Sequence, residues 1–337
     1  MRIEYHRTLI ADHVRNEAFY AALKAVIVPG KSVVADIGAG TGLLGLMASK
    51  LGAKAVYLFE TAAVASVAEK ILKANRAKNC HLIPCHSIEF TDRLQADVIV
   101  SETLGNYALE ENIIDTLNDA RRRFLKPGGI VVPSSITQSV APVIASRIDD
   151  ELRAWSHVGN GLDLGIAQSM SFNNAYVRTL AANELLDGGR SAAVWDRVDL
   201  TREAKTTRKG EVKWTSAKPQ TIYGFACWWT ADLKPGPVLS TAPGAPRTHW
   251  EQLYFPLFEP ISVKAGEHIS VLLKSRSSED AGTHLAWTAT HLDGRGKQIA
   301  RQALDLDKGF RIALFLQQSV RIFQQLARFF LSRHLQG

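Results

Sequence analysis

Short hydrophobic runs alternate with helical patterns through the first 133 residues of the chain. The runs are rich in β-branched and aliphatic residues, as buried strands are, and the clearest are "SVVADIG", "KAVYLFE" and "ADVIVSE". Strands that alternate with helices in this way predict a doubly wound α/β domain with a parallel sheet over residues 1–133. A ligand of such a sheet binds beyond the carboxyl ends of the strands.

The pattern changes after Pro133. Alternating polar and apolar positions, as in "TIYGFACWWTADL", predict an antiparallel barrel or sandwich over residues 134–305. Residues 147–188 interrupt this run with helical and loop character, and predict an excursion from the β domain. Residues 306–337 repeat apolar side chains at helical spacing and predict a C-terminal amphipathic helix. That helix either docks on this protein or on a second copy, or it binds a membrane surface or another protein partner.

Composition places the chain among ordinary globular proteins. It has 337 residues, of which 46% are hydrophobic and 22% charged. No apolar run reaches the roughly eighteen residues that span a bilayer, and the first residues lack a signal-peptide core, so we expect a cytoplasmic protein. The net charge of +7 permits an acidic partner, but no specific nucleic-acid motif is found, because the basic runs do not interleave aromatic residues. The cysteines form no CxxC pair, so neither a disulfide framework nor a metal site is predicted.

A glycine-rich loop lies between the first predicted strand and the helix after it. It begins at Asp36 and has glycine at positions 38, 40 and 42, which lets a ligand approach the backbone in front of a helix N-terminus. The spacing differs from that of dinucleotide loops, because Gly42 comes one place early. An acid beside the loop would repel a pyrophosphate but suits a cofactor with an ammonium and a sulfonium. The loop therefore predicts S-adenosyl-L-methionine at Asp36, Gly38 and Gly40; the alternative is a purely structural turn.

Two further strand ends complete the predicted cofactor pocket. Glu60 ends the second strand, where a carboxylate can accept both ribose hydroxyls. The third strand ends in "CHSIEF", so Ser87 and Ile88 are candidates for the adenine pocket.

Two carboxylates frame the stretch "SETLGNYALEEN", residues 101–112. Glu102 ends the fourth strand, and Glu111 follows at the start of a predicted helix. If the intervening loop doubles back, the two carboxylates face each other and hold a planar, permanently charged guanidinium through bidentate hydrogen bonds. One of them would then take the released proton. The alternative is that acids merely favour a helix N-terminus, and this is our interpretation of Glu110.

A second signal lies far along the chain, in "APRTHWEQ" at residues 245–252. His249 would orient a carboxylate or relay a proton. Trp250 would cover a guanidinium through a cation–π contact. Taken alone, such a His-Trp pair is more often part of a hydrophobic core.

Together these motifs resemble the protein arginine N-methyltransferase family. "VVADIGAGTG" is similar to its cofactor loop, "SETLGNYALEEN" to its double-glutamate loop and "THW" to its substrate-side loop, within a resemblance that covers about residues 5–305. The resemblance implies a Rossmann-like methyltransferase domain with an N-terminal lid helix, followed by a β-barrel. It also implies that residues 147–188 form a dimerisation arm, and hence a homodimer.

The resemblance assigns roles to further residues. Arg15 would pair with the cofactor carboxylate beside His6. Ile113 and Thr116 would lie near the sulfonium, and Thr248 would lie at the substrate. Asp12 and His249 match a pair that bridges the two domains and accepts the proton.

We therefore expect an enzyme that transfers a methyl group from S-adenosyl-L-methionine to a guanidino nitrogen of arginine, in a protein or a peptide. An alternative acceptor is free arginine, a small-molecule guanidine or an amine, because the paired acids favour any cation. A third hypothesis is a non-catalytic dimeric scaffold, against which the complete set of acids argues.

Overall fold

The chain folds as a parallel α/β region followed by an antiparallel β region. The computed structural model describes residues 3–233, 236–278 and 282–313. The α-helices are α1 (Ile3–Ala11), α2 (His13–Val26), α3 (Leu43–Lys50), α4 (Ala65–Ala74), α5 (Ile113–Phe124), α6 (Arg147–Leu152) and α7 (Gly165–Phe172). The strands are β1 (Val33–Ile37), β2 (Ala55–Phe59), β3 (Cys80–Ile83), β4 (Ala96–Ser101), β5 (Leu125–Val132), β6 (Ser135–Val143), β7 (Tyr176–Arg178), β8 (Ala193–Asp199), β9 (Thr207–Thr215), β10 (Gln220–Asp232), β11 (Val238–Ser240), β12 (Gln252–Val263), β13 (His268–Ser278), β14 (Gly282–Leu292), β15 (Gln298–Asp305) and β16 (Gly309–Ala313).

The first sheet is five-stranded and parallel, in the order β3-β2-β1-β4-β5. Its central strands β1 and β4 are mostly apolar because helices pack on the sheet, and Val34 and Ile99 are fully buried. The strand order reverses between β1 and β4, which opens a crevice at their carboxyl ends. The predicted doubly wound α/β region is confirmed.

Two antiparallel sheets make up the region after Pro133. One has the order β7-β12-β10-β6-β8, with β11 paired to β10, and the other has the order β16-β15-β14-β13-β9. Buried aromatic pairs join them: the ring centroids of Phe255 and Trp287 lie 4.9 Å apart, and those of Trp214 and Phe225 lie 5.8 Å apart. The period-2 pattern of the sequence is therefore that of an antiparallel β domain, as predicted.

Residues 147–188 leave these sheets as an arm of short helices and turns. The arm contains α6 and α7, and β7 returns the chain to the edge of β12. It exposes large apolar side chains: Ile166 is 83% accessible, Met170 71% and Leu162 61%. The structure therefore has short helices and turns where the sequence predicts an excursion, and this segment carries several exposed apolar side chains.

The predicted C-terminal helix is wrong over its first residues. Residues 306–308 form a turn, and Gly309–Ala313 form β16, which pairs with β15 in antiparallel register. Here the backbone hydrogen bonds offered by a sheet edge outweigh the helical spacing of the side chains. Residues 314–337, which carry most of the predicted helix, lie outside the described residues. Within the described part of the chain, no helix is both long and apolar enough to cross a membrane.

Candidate active site

A cleft of about 310 Å³ opens at the carboxyl ends of β1 and β4. Its walls come from the N-terminal helices, from the turns after β1, β2 and β3, and from the loop that joins β4 to α5, residues 102–112, which we call the glutamate loop. The predicted site residues that line it are His6, Arg15, Asp36, Gly38, Gly40, Glu60, Ser87, Glu102, Glu111 and Thr116. The predicted residues outside its wall are Asp12, Ile88, Ile113, Thr248, His249 and Trp250.

The glycine loop closes tightly around the end of β1. Gly38 has a φ of 72° and Gly40 a φ of 57°, in the left-handed region that favours glycine. The backbone N–H groups of Gly38 and Ala39 donate to the carbonyl of Phe59 at 3.0 and 2.9 Å, which ties the loop to the end of β2. A side chain at position 38 would begin 2.6 Å from Cγ2 of Thr103. Position 38 therefore needs glycine for space as well as for conformation.

Asp36 lies at the floor of the cleft and is 1% exposed. Its Oδ2 accepts the backbone N–H of Gly45 at 2.8 Å, and so caps the first turn of α3. Its Oδ1 has no hydrogen-bond partner among the described residues. Burial raises the pKa of Asp36 to about 7, although the bond from Gly45 opposes the shift. An unpaired carboxylate oxygen at this place fits the cationic group of the predicted cofactor.

Glu60 follows β2 and holds two turns together. Its Oε2 accepts the backbone N–H of Gly40 at 2.8 Å, and its Oε1 accepts that of Ala62 at 2.7 Å. These two bonds fix the carboxylate against the glycine loop. Each oxygen keeps a second lone pair, so the arrangement is compatible with the predicted ribose contact.

Ser87 and Ile88 point in different directions after β3. Ser87 is 2% exposed and lines the cleft, and its carbonyl accepts a bond from Nη2 of Arg123 at 2.6 Å. Ile88 is 44% exposed and lies outside the cleft wall, contrary to the prediction. The reason is the 3₁₀ turn Ser87–Glu89, in which successive side chains rotate by about a third of a turn.

Arg15 and Glu102 form a buried ion pair in the cleft. Nε of Arg15 donates to Oε2 of Glu102 at 2.6 Å, and Nη2 contacts the same oxygen. The two side chains are only 7% and 5% exposed. Burial raises the pKa of Glu102, while the Arg15 guanidinium opposes the rise and the charge of Glu111 adds to it. The pairing of Arg15 with a cofactor carboxylate stays a prediction.

Glu111 lies in the glutamate loop and not in a helix. The helix α5 begins at Ile113, after Asn112 with a left-handed φ of 55°. The prediction that Glu110 belongs to a helix N-terminus is therefore wrong, and Glu110 folds over Gly105 instead. Glu111 does line the cleft, where burial and the charges of Glu110 and Glu60 raise its pKa.

The helix α5 presents Thr116 to the cleft but not Ile113. Thr116 is 8% exposed and forms part of the wall. Ile113 is the first helical residue, and its side chain is fully buried in the hydrophobic core. The predicted place of Ile113 beside the sulfonium is therefore not found in the cleft wall.

Asp12 links the N-terminal helices to the β domain. Its Oδ1 accepts the backbone N–H of Arg15 at 2.9 Å and caps α2, so the predicted lid helix is two helices, α1 and α2. Its Oδ2 lies 2.8 Å from the backbone nitrogen and 2.7 Å from Nδ1 of His249. Burial lowers the pKa of His249, which favours the neutral ring, although Asp12 opposes the shift. Nε2 of His249 is buried and has no partner in the described ranges.

Trp250 and Thr248 support the glutamate loop from behind, contrary to the predicted contacts with substrate. Trp250 is 4% exposed, and its Nε1–H donates to the carbonyl of Leu104 at 2.8 Å. Thr248 donates through Oγ1 to the carbonyl of Trp250 at 3.2 Å. A ring buried behind the loop in this way cannot cover a guanidinium in the cleft.

Most of the side chains that hold the glutamate loop are not among the predicted site residues. Oδ1 of Asn106 accepts the backbone N–H of Glu251 at 2.9 Å, and the hydroxyl of Tyr107 donates to Oγ of Ser275 at 2.5 Å. The hydroxyl of Ser277 donates to the carbonyl of Leu109 at 2.9 Å. The available signal was the pair Asn-Tyr in the middle of an otherwise aliphatic stretch.

Both regions of the chain are similar to known protein families. Residues 137–290 match the family model described as the arginine methyltransferase oligomerization subdomain, and residues 13–160 match that of ribosomal protein L11 methyltransferase. The probable protein arginine N-methyltransferase 6.1 of Oryza sativa subsp. indica is 30% identical over 323 residues, which cover 82% of this chain and 82% of the relative. The protein arginine N-methyltransferase 6 of Xenopus tropicalis is 29% identical over 313 residues, which cover 89% of this chain and 92% of the relative.

Solved structures share the fold over most of the chain. A Trypanosoma brucei PRMT1 enzyme–prozyme heterotetrameric complex with AdoHcy superposes with a TM-score of 0.78 at 21% identity, and covers 90% of this chain and 98% of that one. The protein arginine methyltransferase 10 of Arabidopsis thaliana superposes with a TM-score of 0.74 at 21% identity, with the same coverage of 90% and 98%. Both support a parallel-sheet domain followed by an antiparallel one.

Proposed function

This chain belongs to the protein arginine N-methyltransferase family, and we propose that its cleft transfers a methyl group from S-adenosyl-L-methionine to a guanidino nitrogen of arginine in a protein or peptide. The observation that carries this proposal is the meeting of two acidic pairs in one cleft. Asp36 and Glu60 flank the glycine loop and suit a cofactor with an ammonium and a ribose. Glu102 and Glu111 lie on the glutamate loop and suit a guanidinium.

The cofactor is proposed to lie between the glycine loop and the N-terminal helices. Oδ1 of Asp36, Oγ of Ser87 and Nε2 of His6 are buried atoms without a partner among the described residues, and all three side chains line the cleft. Buried polar atoms are rarely left unpaired, so these three fit the polar groups of the cofactor. Bound S-adenosyl-L-methionine supplies a methyl group made electrophilic by the sulfonium.

Glu102 and Glu111 are proposed to hold the substrate guanidinium unequally. Arg15 already engages Oε2 of Glu102, so the substrate is left Oε1 of that residue and the carboxylate of Glu111. Carboxylates on two sides fix the plane of the guanidinium and favour a lone pair on one nitrogen. The cationic substrate favours the ionised form of Glu111, which makes this residue the first candidate to receive the released proton.

Asp12 and His249 are proposed as the further destination of that proton. Asp12 accepts the Nδ1–H of His249, which leaves Nε2 as the basic nitrogen of a neutral ring. The pair also holds α2, which carries Arg15, against the β domain.

Replacement of Glu102 or Glu111 by glutamine tests the proposal. Each change removes a charge and keeps the shape, so we expect methyl transfer to an arginine peptide to fall by about 10²- to 10³-fold, while calorimetry still detects cofactor binding. E203Q is the control for the loss of a carboxylate, because Glu203 is exposed and lies outside the cleft wall; its rate should match that of the wild type. Retained activity in both E102Q and E111Q would overturn the proposal. Mass spectrometry of the products from a peptide, free arginine and a small guanidine identifies the acceptor.

The arm is proposed to join two copies of the chain. The matched oligomerization subdomain spans residues 137–290 and includes the arm. The arm also exposes the large apolar side chains of Leu162, Ile166 and Met170, and the burial of such side chains between two copies favours association.

A further inference from the structure

The glutamate loop depends on its surroundings for its shape. It runs from the end of β4 to the start of α5 through turns and irregular segments. A backbone hydrogen bond of 2.9 Å from Glu110 to the carbonyl of Tyr107 closes one of these turns. A loop of this kind holds a fixed path through contacts with the elements around it. The path of this loop decides where Glu102 and Glu111 point.

Two tryptophans of the β domain hold consecutive carbonyls of the loop. Nε1–H of Trp250 donates to the carbonyl of Leu104 at 2.8 Å, and Nε1–H of Trp229 donates to the carbonyl of Gly105 at 3.0 Å. The two indole rings meet edge to face, with centroids 4.9 Å apart and an angle of 71° between their planes. Rings that support each other in this way present two N–H donors at a fixed spacing.

The loop has little room to move at Gly105. A side chain at that position would begin 2.6 Å from Cβ of Glu110, because Glu110 folds across it. Gly105 is therefore packed against Glu110, the residue that directly precedes Glu111. If the indole donor is removed, the buried carbonyl loses its partner, and the loop shifts toward another donor or toward water.

We propose that Trp229 is a positioning residue for methyl transfer: its indole N–H fixes the Gly105 carbonyl and thereby the placement of Glu102 and Glu111 in the cleft. This inference rests on the proposed function, in which those two carboxylates hold the guanidinium. Trp229 is 1% exposed and lies outside the cleft wall, 124 positions from Gly105. The β domain thus shapes the site through the backbone of the loop.

Trp228 provides a matched control on the same strand. It adjoins Trp229 in β10, and neighbouring residues of a strand point to opposite faces. Trp228 is 6% exposed and packs in a separate hydrophobic cluster that contains Phe172 and Tyr254. W228F and W229F therefore remove the same atoms from two buried sites, and W228F leaves the bond to Gly105 in place.

Single-turnover methyl transfer to an arginine peptide, measured with saturating cofactor, tests this role. We expect W229F to lower the transfer rate about tenfold, with the peptide KM and the cofactor Kd changed less than about threefold, and W228F to stay within about twofold of the wild type. Thermal unfolding measures the loss of stability that both variants share, and a purely structural role would change that quantity alone. If W229F does not fold, W229L takes its place, because leucine is apolar and carries no side-chain donor.

A transfer rate for W229F within about twofold of W228F would overturn the inference. It would leave the proposed function intact, provided that E102Q and E111Q are inactive. Full activity in E102Q and E111Q would overturn the proposed function itself, whatever the rate of W229F.

Discussion

Oδ2 of Asp12 lies 2.7 Å from Nδ1 of His249, although the two residues are 237 positions apart. The same oxygen accepts the backbone N–H of His249 at 2.8 Å, while Oδ1 caps α2 through the backbone N–H of Arg15 at 2.9 Å. One carboxylate thus serves the helix that carries Arg15 and the segment that backs the glutamate loop. Its charge and its capping role are separable by mutation.

D12N separates them, because asparagine caps helices about as well as aspartate. We expect D12N to keep α2 intact but to lose the charge-assisted bond to His249, so that kcat falls about tenfold while urea unfolding changes little. D12A removes both roles and should cost a further ~1 kcal/mol of stability. A wild-type kcat for D12N would show that the charge of Asp12 has no part in the reaction.

We expect Asp36 to make the affinity for the cofactor depend on pH. Burial raises the pKa of its carboxyl from 3.8 to about 7, so in the folded protein Asp36 ionises fully only above that pH. In the proposed site, the ionised form of Asp36 attracts the cofactor ammonium. We expect the affinity for S-adenosyl-L-methionine to rise between about pH 6 and about pH 8, and D36N to bind weakly with no such rise. Calorimetry across this range measures it, and an affinity of the wild type that does not change with pH would contradict the prediction.

The same shift has the opposite effect on stability. A raised carboxyl pKa means that the folded chain holds a proton that the unfolded chain has already released, so Asp36 reduces the free energy of unfolding as the pH rises from about 4 to about 7. We therefore expect D36N to be more stable than the wild type at about pH 8 and equally stable at about pH 4. Urea unfolding at both pH values measures this difference, and an equal stability at about pH 8 would count against a raised pKa.

A comparison of Gly38 with Gly30 separates the effect of backbone strain from the effect of steric clash. Their φ angles are 72° and 71°, so alanine at either position should cost about 1 kcal/mol of stability. A side chain at Gly38 would begin 2.6 Å from Cγ2 of Thr103, whereas nothing lies within 4 Å at Gly30. We expect G38A to weaken cofactor binding at least about tenfold and G30A to leave it unchanged. Equal dissociation constants would show that the cleft tolerates a side chain at Gly38.

A charged residue in place of an exposed apolar residue tests whether the arm joins two copies of the chain. Ile166 is 83% exposed in α7, and Val238 is 60% exposed in β11, which is not part of the arm. Burying an unpaired carboxylate in an interface between copies is costly, so we expect I166E to shift the protein from dimer toward monomer in sedimentation experiments. V238E adds the same charge elsewhere and should leave the association unchanged. If I166E sediments like the wild type, the arm does not join the copies.

The cofactor half of the site follows from the sequence better than the substrate half. Asp36, Gly38 and Glu60 come at strand ends, and a parallel sheet brings its carboxyl ends to one edge, so their order along the chain is enough to place them. Ile88 is misplaced because the direction of a side chain in a 3₁₀ turn depends on a shift of one residue. Trp250 is misplaced because its partner Leu104 is 146 positions away, a distance over which no local pattern carries information.

The C-terminal tail shows a second limit of prediction from the sequence. Apolar residues recur at helical spacing from Ile312 onward, yet residues 309–313 pair with β15 as a strand. Side-chain periodicity records which faces are apolar, whereas an unpaired sheet edge offers backbone hydrogen bonds whatever the period. Whether residues 309–313 form a helix or a strand depends on the neighbouring strand β15, which the local sequence does not reveal.

The glutamate loop is part of the first domain in the sequence, but it packs against the second domain in the structure. Trp229, Trp250, Ser275 and Ser277 all come from the β domain, and each of them donates to or accepts from the loop. A chimera that joins this cofactor domain to the β domain of a relative would inherit the pocket for the methyl donor but not the support that shapes its acids. The two domains of this enzyme are therefore expected to evolve together. A substitution in the loop on one side of the boundary requires a compensating substitution in the β domain on the other.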